Sequence, residues 1–278
     1  VGDVDELSFV KMHGAGNDFI LIDDRDDKIP EERKGELARC LCVRRFSVGA
    51  DGVLFVCSSE RCDVRMRIFN ADGSEAEMSG NGIRCFARYV YEHGIVRKRK
   101  FDVETLGGII TPEVLEDGAV RVFMGRPSFH MLDEEFHVEG YGRFKLTALS
   151  IGNPHAVLIV RSFDEVDIAG LGRAIERHKA FPNRTNVNFV VIVCENEISV
   201  RTYERGVGET LSCGTGSTAS ALTLAKLRIV DARRPILVHT QGGNLIVEIL
   251  GDAENGAYLT GPAEEVFEGS IGLSRLLA

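Results

Sequence analysis

The chain has 278 residues, 44% of them hydrophobic and 27% charged, with no tryptophan and a formal net charge of −9. This composition fits a globular protein of one large or two ordinary domains, with cores of Val, Ile, Leu and Phe. The acidic balance argues against a general binder of nucleic acid or anionic membranes, and no apolar run approaches the roughly 20 residues that span a bilayer. The seven cysteines, Cys40, Cys42, Cys57, Cys62, Cys85, Cys194 and Cys213, are odd in number and form no paired C-x-x-C units. They point away from a disulfide framework or zinc site, and with no signal-peptide core at the N-terminus a cytoplasmic location is expected.

In chain order, FVKM (9–12), FILID (19–23), GVLFV (52–56) and MRIFN (66–70) read as short strands, with a helix expected over 31–45 behind Pro30 at its first position. A Gly-rich loop then leads into an amphipathic helix over 83–92, with Ile83, Phe86, Ala87, Val90 and Tyr91 on one face and Gly94 closing it. FDVET (101–105), GIITPEVLE (108–116) and VRVFMG (120–125) read as further strands. The polar stretch between Gly125 and Ser150 reads as an irregular domain boundary. Beyond it come AVLIV (156–160), a helix over 165–178, NFVVIV (188–193) and ISVRTYE (198–204). A last helix over 217–227 is small and apolar on nearly every face, as expected of a helix sunk within a barrel-like sheet.

Two loops share one layout. EAEMSGNGIRC (75–85) and GETLSCGTGS (208–217), aligned on Glu75 and Glu209, read E-x-x-x-S-G-x-G and E-x-x-x-C-G-x-G, and they place Ser79 against Cys213. The likeness extends outward. Gly16-Asn17 and Gly152-Asn153 lie about sixty residues upstream of Ser79 and Cys213, and Arg67, Phe69 and Asn70 match Arg201, Tyr203 and Glu204 at equal offsets. Downstream, TLGG (105–108) answers TQGG (240–243), and GRP (125–127) answers GPA (261–263). Several pairs in one order indicate an internal duplication, hence two homologous α/β (α+β) domains, over 1–130 and 131–278, with the chain free to cross back near its C-terminus.

Each loop feeds a helix through G-x-G, a setting in which unpaired N–H groups and the helix dipole favour a small anion such as a carboxylate. Neither loop matches a Walker A or dinucleotide fingerprint. Cys213 at such a helix start is expected to have a lowered thiol pKa and to be reactive, whereas Cys85, inside its helix, reads as packing. A hydrolase pairing Cys213 with His155 leaves the duplication unexplained. Two matched groups around one carboxylate suit stereochemical inversion, in which one removes a proton from a carbon and the other delivers one to the opposite face.

KMHGAGNDF (11–19), RIFNADGSEAEMSGNGIRCFARY (67–89), GNPH (152–155), TNVNF (185–189) and YERGVGETLSCGTG (203–216) together resemble the diaminopimelate epimerases, nearly end to end. The resemblance implies two pseudo-symmetric domains, each a mostly antiparallel sheet around a central helix, with the active site in the cleft between them. It implies interconversion of LL- and meso-2,6-diaminopimelate without a cofactor or metal, on the route to lysine. Ser79 and Cys213 then fall at the catalytic positions, and His155 and Glu204 tune them. Asn17, Asn70, Asn153, Asn186, Glu204 and Arg205 bind the diamino dicarboxylic acid, with Arg205 on its distal carboxylate. Gly80, Asn81, Gly214 and Thr215 supply the helix-start contacts. A homodimer is also implied, and Phe267 reads either as a contact in it or as a core residue.

The chain departs from the family's pattern twice. Gly52 stands where a Gln is usual, which removes one distal contact, and Ser79 replaces the first catalytic cysteine. The serine reads as an introduced change, as a natural variant with a one-base or water-assisted mechanism, or as the mark of a different amino-acid substrate. A non-catalytic amino-acid-binding protein is the reading of another class.

Overall fold

The strand-forming alternation and the Gly-rich breaks of the sequence produce two sheets in the computed structural model, which describes residues 6–272. In the first half, β1 (Glu6–Gly14), β2 (Asn17–Asp23), β3 (Gly52–Cys57), β4 (Val64–Asn70), β5 (Glu75–Ala76), β6 (Val103–Thr105), β7 (Gly108–Ile110), β8 (Glu113–Val114) and β9 (Val120–Phe123) accompany helices α1 (Glu31–Leu41) and α2 (Gly80–Glu92). The second half contains β10 (Ser128–Val138), β11 (Gly142–Ser150), β12 (Pro154–Ile159), β13 (Asn186–Cys194), β14 (Glu197–Glu204), β15 (Gly208–Thr210), β16 (Ile236–Thr240), β17 (Gly243–Ile249) and β18 (Ala257–Gly261), with helices α3 (Ile168–Glu176) and α4 (Gly214–Lys226). The last strand, β19 (Glu264–Gly272), returns to the first sheet beside β1. One unit accordingly runs to Val122 and takes in the chain from Pro262 onward, and the other is Phe123–Gly261.

Within the first unit the strand order is β19-β1-β2-β3-β4-β6-β7, with β5 on β4. Within the second it is β10-β11-β12-β13-β14-β16-β17-β18, with β15 on β14. The parallel pairs fall at matching places, β2 with β3 and β4 with β6 in one unit, β12 with β13 and β14 with β16 in the other. The remaining neighbours along both orders are antiparallel, so the duplication seen in the loops extends to the pairing of whole sheets.

Each unit has one helix against the inner face of its sheet and one outside. α2 touches β1, β2, β3, β4, β8 and β19, and α4 touches β11 to β14 and β16 to β18. α4 is buried at Gly214 and from Gly216 to Leu224, which explains why almost no face of it is polar. On the outer faces, Leu37 and Leu41 of α1 join Ile20, Val53 and Phe55 in one core, and Leu171 and Ile175 of α3 join Ala156, Leu158 and Phe189 in the other. β3 is buried at every position, the expected consequence of helices on both of its faces.

Several element boundaries differ from the sequence reading. α1 stops at Leu41, and Pro30 occupies the cap position before the helix. α3 starts only at Ile168, where Asp167 Oδ1 accepts from the Gly170 amide at 2.9 Å. Residues 108–116 split into β7 and β8 around Pro112. The largest correction concerns the stretch between Gly125 and Ser150. It is a long hairpin, paired from Ser128 with Ser150 to Val138 with Gly142, and its polarity comes from an edge strand with one face in solvent. All seven cysteines are free, and among the described residues no helix is long and apolar enough to cross a membrane. Phe267 on β19 is 47% exposed and makes an edge contact with Phe9 at 6.0 Å between ring centres.

Candidate active site

Gly16 and Gly152 both hold left-handed backbone, with φ of 83° and 75°, at the turns that deliver Asn17 and Asn153 to the start of β2 and β12. Only glycine adopts this geometry without strain, so the Gly-Asn units of the sequence are turns that aim an amide. Each amide meets the residue two places beyond the matched Ser or Cys. Asn81 Nδ2 donates to Asn17 Oδ1 at 3.3 Å in the first unit, and Asn153 Nδ2 donates to Thr215 Oγ1 at 3.3 Å in the second.

Ser79 and Cys213 are themselves the N-caps of α2 and α4. Ser79 Oγ accepts from the Gly82 amide at 3.0 Å, and Cys213 Sγ accepts from the Gly216 amide at 3.4 Å. The shared layout of the two loops also has a mechanical origin. Arg67 grips Glu75 through hydrogen bonds of 2.7 and 2.9 Å, and Arg201 grips Glu209 through one of 2.6 Å, so the same Arg–Glu pair pins each loop to its strand.

The first half-site is completed by Asp51, whose Oδ2 accepts from Asn17 Nδ2 at 2.7 Å, and by Asn70, whose amide donates to Ser74 Oγ at 3.0 Å within its own turn. Gly80 offers its carbonyl to Arg84 Nη1 at 3.0 Å. Gly52 lies in register between Phe19 and Asn70, and a Cβ there would stand 2.8 Å from Phe69 O, so no side chain fits this strand position without a shift of the ladder.

In the second unit, Thr215 Oγ1 lies 3.4 Å from Cys213 Sγ, and Thr210 Oγ1 donates to Glu204 Oε1 at 2.6 Å. Gly214 O accepts from Thr218 Oγ1 at 2.9 Å. Asn186 is held at both ends, donating to Pro154 O at 2.9 Å and accepting from the Arg205 amide at 3.0 Å, while the Arg205 side chain is exposed and donates to Asn183 O at 3.2 Å. His155, 1% exposed, lies between Asn153 Oδ1 at 2.9 Å from its Nε2 and Asn188 Nδ2 at 3.1 Å from its Nδ1. The sequence reading missed Asn188 and Glu176, whose Oε1 accepts from the Gly206 amide at 2.8 Å. The signal for Asn188 was its place two residues after Asn186, on the same face of a strand. For Glu176 there was none, because its partner lies 30 positions away.

The electrostatics correct one expectation. Burial, followed by the charge of Glu204, pushes the Cys213 thiol well above its ordinary range, and the hydrogen bonds from Thr215 and Gly216 offset this only in part. Desolvation outweighs the helix start and holds the thiol toward its protonated form. Burial pushes Cys85 up to about 12, in keeping with a packing role. Burial, together with the nearby Arg205 charge, takes His155 down to about 3, so its imidazole is neutral at physiological pH.

The family profile described as diaminopimelate epimerase matches residues 9–130 and 147–266. A relative named diaminopimelate epimerase from Methanothermobacter thermautotrophicus is 51% identical over 95% of this chain and 98% of its own length. One of the same name from Caldanaerobacter subterraneus subsp. tengcongensis is 47% identical over 95% of this chain and 99% of its own. Among solved structures, a Bacillus anthracis phenazine biosynthesis protein of the PhzF family superposes with a TM-score of 0.76 at 19% identity, over 96% of this chain and 99% of that one. A hydroxyproline epimerase from Agrobacterium vitis superposes with a TM-score of 0.71 at 18% identity, over 97% and 93%. At these identities the two structures speak for the fold alone, one shared with phenazine-biosynthesis and hydroxyproline-epimerase proteins. The profile match across both halves and the near full-length relatives place this chain in the diaminopimelate epimerase family.

Proposed function

We propose that this chain is a cofactor-independent isomerase that interconverts LL- and meso-2,6-diaminopimelate by proton transfer at the α-carbon, in the synthesis of lysine. The observation that carries this reading is the equivalence of Ser79 and Cys213. Both cap a helix through the amide three residues on, and both stand beside an asparagine bonded to the residue two places on. Ser79 and Cys213 are on this reading the two proton-transferring groups. The carboxylate at the reacting carbon is met by Gly80, Asn81, Gly214 and Thr215, and the zwitterion by Asn17, Asn70, Asn153, Asn186, Glu204 and Arg205, since an amide both donates and accepts. Arg205, whose side chain is exposed, suits the distal carboxylate.

Cys213 is the stronger acid–base group. The serine hydroxyl at position 79 keeps the shape of the family's cysteine but is a far weaker acid, so the step it serves is slow. The Glu204 carboxylate and the neutral His155 adjust the Cys213 thiol, and binding of an ammonium group near Glu204 would relieve part of the charge that holds the thiol protonated. The family reading also includes a homodimer and a soluble, cytoplasmic setting; light scattering on the purified protein tests the first.

The function is tested by incubating the protein in D2O with LL- or meso-diaminopimelate and following α-hydrogen exchange by NMR, with Ser79→Cys in parallel. Exchange by the Cys variant, and slow or no exchange by the parent, supports the reading. Ligand binding without exchange by either protein would reduce the chain to an amino-acid-binding protein. Gly52 and Ser79 favour a second reading, a racemase or epimerase of another amino acid, and exchange confined to a different amino acid would establish it.

A further inference from the structure

Behind Cys213 the second unit buries three polar side chains in adjacent strands, His155 on β12, Asn188 on β13 and Thr202 on β14, at 1%, 0% and 3% exposure. The first unit provides an internal control for them. His155 lies two residues after Asn153, where Phe19 follows Asn17. Val157 registers with Asn188 as Leu21 registers with Leu54, and Asn188 faces Thr202 as Leu54 faces Ile68. A Cβ on Gly82 would touch Leu54, and a Cβ on Gly216 would land on Asn188 Oδ1, so the two helix starts rest on these same positions. The fold therefore closes this place with Phe, Leu and Ile in one unit. Packing does not require His, Asn and Thr in the other.

The polar set is also directional. Ala156 O can only accept, so Asn188 turns its Nδ2 toward it at 3.3 Å and donates from the same nitrogen to His155 Nδ1 at 3.1 Å. Thr202 Oγ1 donates to Asn188 Oδ1 at 3.0 Å and secures the amide in the orientation that the Ala156 carbonyl sets. With Nδ1 accepting, a neutral His155 carries its proton on Nε2 and donates it to Asn153 Oδ1 at 2.9 Å. Asn153 must then present Nδ2 to Thr215 Oγ1 at 3.3 Å, and Thr215, accepting there, has its hydroxyl hydrogen free for Cys213 Sγ at 3.4 Å. In the opposite tautomer the Asn153 amide turns over, Thr215 donates to it, and the sulfur faces no hydroxyl hydrogen.

We propose that Asn188, locked by the Ala156 carbonyl and by Thr202, is a positioning residue that fixes the His155 tautomer and so directs this chain of donors onto the Cys213 sulfur. It also makes Asn153 a donor, the polarity a carboxylate requires. The charged groups around the chain are Glu204, which bears on the thiol, and Arg205, which bears on His155 and keeps it neutral. The consequence for catalysis rests on Cys213 being a proton-transferring group. The tautomer and the thiol's acidity are both measured without substrate, so the failure of one reading is distinguishable from the failure of the other.

The test uses the full chain. Long-range proton–nitrogen correlation on protein labelled in histidine, assigned with His155→Gln, should find His155 protonated on Nε2. Iodoacetamide alkylation of Cys213, followed by peptide mass spectrometry across pH, should show the midpoint for Asn188→Leu raised by about one pH unit, the loss of one hydrogen bond to a charged group. Thr202→Val should give a smaller rise. A merely structural Asn188 would lower the melting temperature without moving that midpoint. Proton on Nδ1 in the parent protein, or an unmoved midpoint in folded Asn188→Leu, overturns the proposal. If Asn188→Leu does not fold, the parent's tautomer and Thr202→Val decide it.

Discussion

Arg84, at 0% exposure, donates from Nη2 to Asn81 Oδ1 at 2.9 Å. The same guanidinium reaches Gly80 O at 3.0 Å and Pro262 O at 3.2 Å, so one buried cation fastens the loop after Ser79 to the returning C-terminal segment. Burial lowers its pKa only to about 10, which leaves it charged at neutral pH. Arg84→Met removes all three bonds and strands their acceptors. It should cost about 3 kcal/mol, read from urea denaturation, with Arg84→Lys recovering only part of the loss.

The two glycines at the helix starts should differ in their tolerance of a methyl group. At Gly82 a Cβ would meet Ser79 Cβ at 3.1 Å and Leu54 at 3.5 Å, a contact small shifts relieve. At Gly216 it would land on Asn188 Oδ1 and stand 3.0 Å from Thr202 Oγ1. Gly82→Ala should therefore change stability by less than about 1 kcal/mol, as the helix propensity of Ala offsets the crowding, and Gly216→Ala should cost roughly 2–3 kcal/mol. Thermal melts of the two variants side by side are the measurement.

His155 gives a pH dependence whose sign follows from its burial. Its pKa falls from 6.5 in the unfolded chain to about 3 in the folded one, so between these values the unfolded state binds the additional proton. Stability attributable to this group is lost as pH drops below 6.5 and is unaffected above it. The slope is about 1.4 kcal/mol per pH unit inside the window. His155→Gln should lower stability at pH 7 yet flatten the decline between pH 6 and pH 4. Equal slopes in denaturation series for the two proteins would show that His155 accepts a proton in place.

On the proposed reading, Ser79 and Cys213 should respond unequally to substitution. Cys213→Ser should lower α-hydrogen exchange by about 10²–10⁴-fold, the range expected for losing a good general acid–base group. Ser79→Ala should lower it by much less, because the hydroxyl there is already a poor acid. The reverse order of effects in the D2O assay would make Ser79 the principal group.

Much of this architecture is legible in the sequence because the motifs that the duplication repeats are each local. The Gly-Asn turns, the Arg and Glu that pin each loop, and the capping Ser and Cys all lie within short motifs, so aligning one half with the other locates them. What sequence does not reveal depends on distant partners. The stretch between Gly125 and Ser150 is polar because β10 is an edge strand, and residue types alone do not separate such a strand from a loop. The acidity of Cys213 is not legible in the sequence, because a helix start is a sequence feature, whereas the burial that raises the thiol comes from the tertiary fold. Asn188 was hidden for the same reason, since its partners His155 and Thr202 lie on neighbouring strands.

The return of β19 to the first sheet has a consequence for the order of assembly. Ser270 Oγ donates to Glu6 Oε1 across 264 positions at 2.6 Å, and all of Phe123–Gly261 is synthesised between the two strands. The second unit is continuous and can fold as soon as it leaves the ribosome. The first, although made earlier, must wait with the edge of β1 uncovered until the strand that completes it arrives. A proteolytic cut near Pro262 should therefore loosen the unit that carries Ser79 more than the unit that carries Cys213.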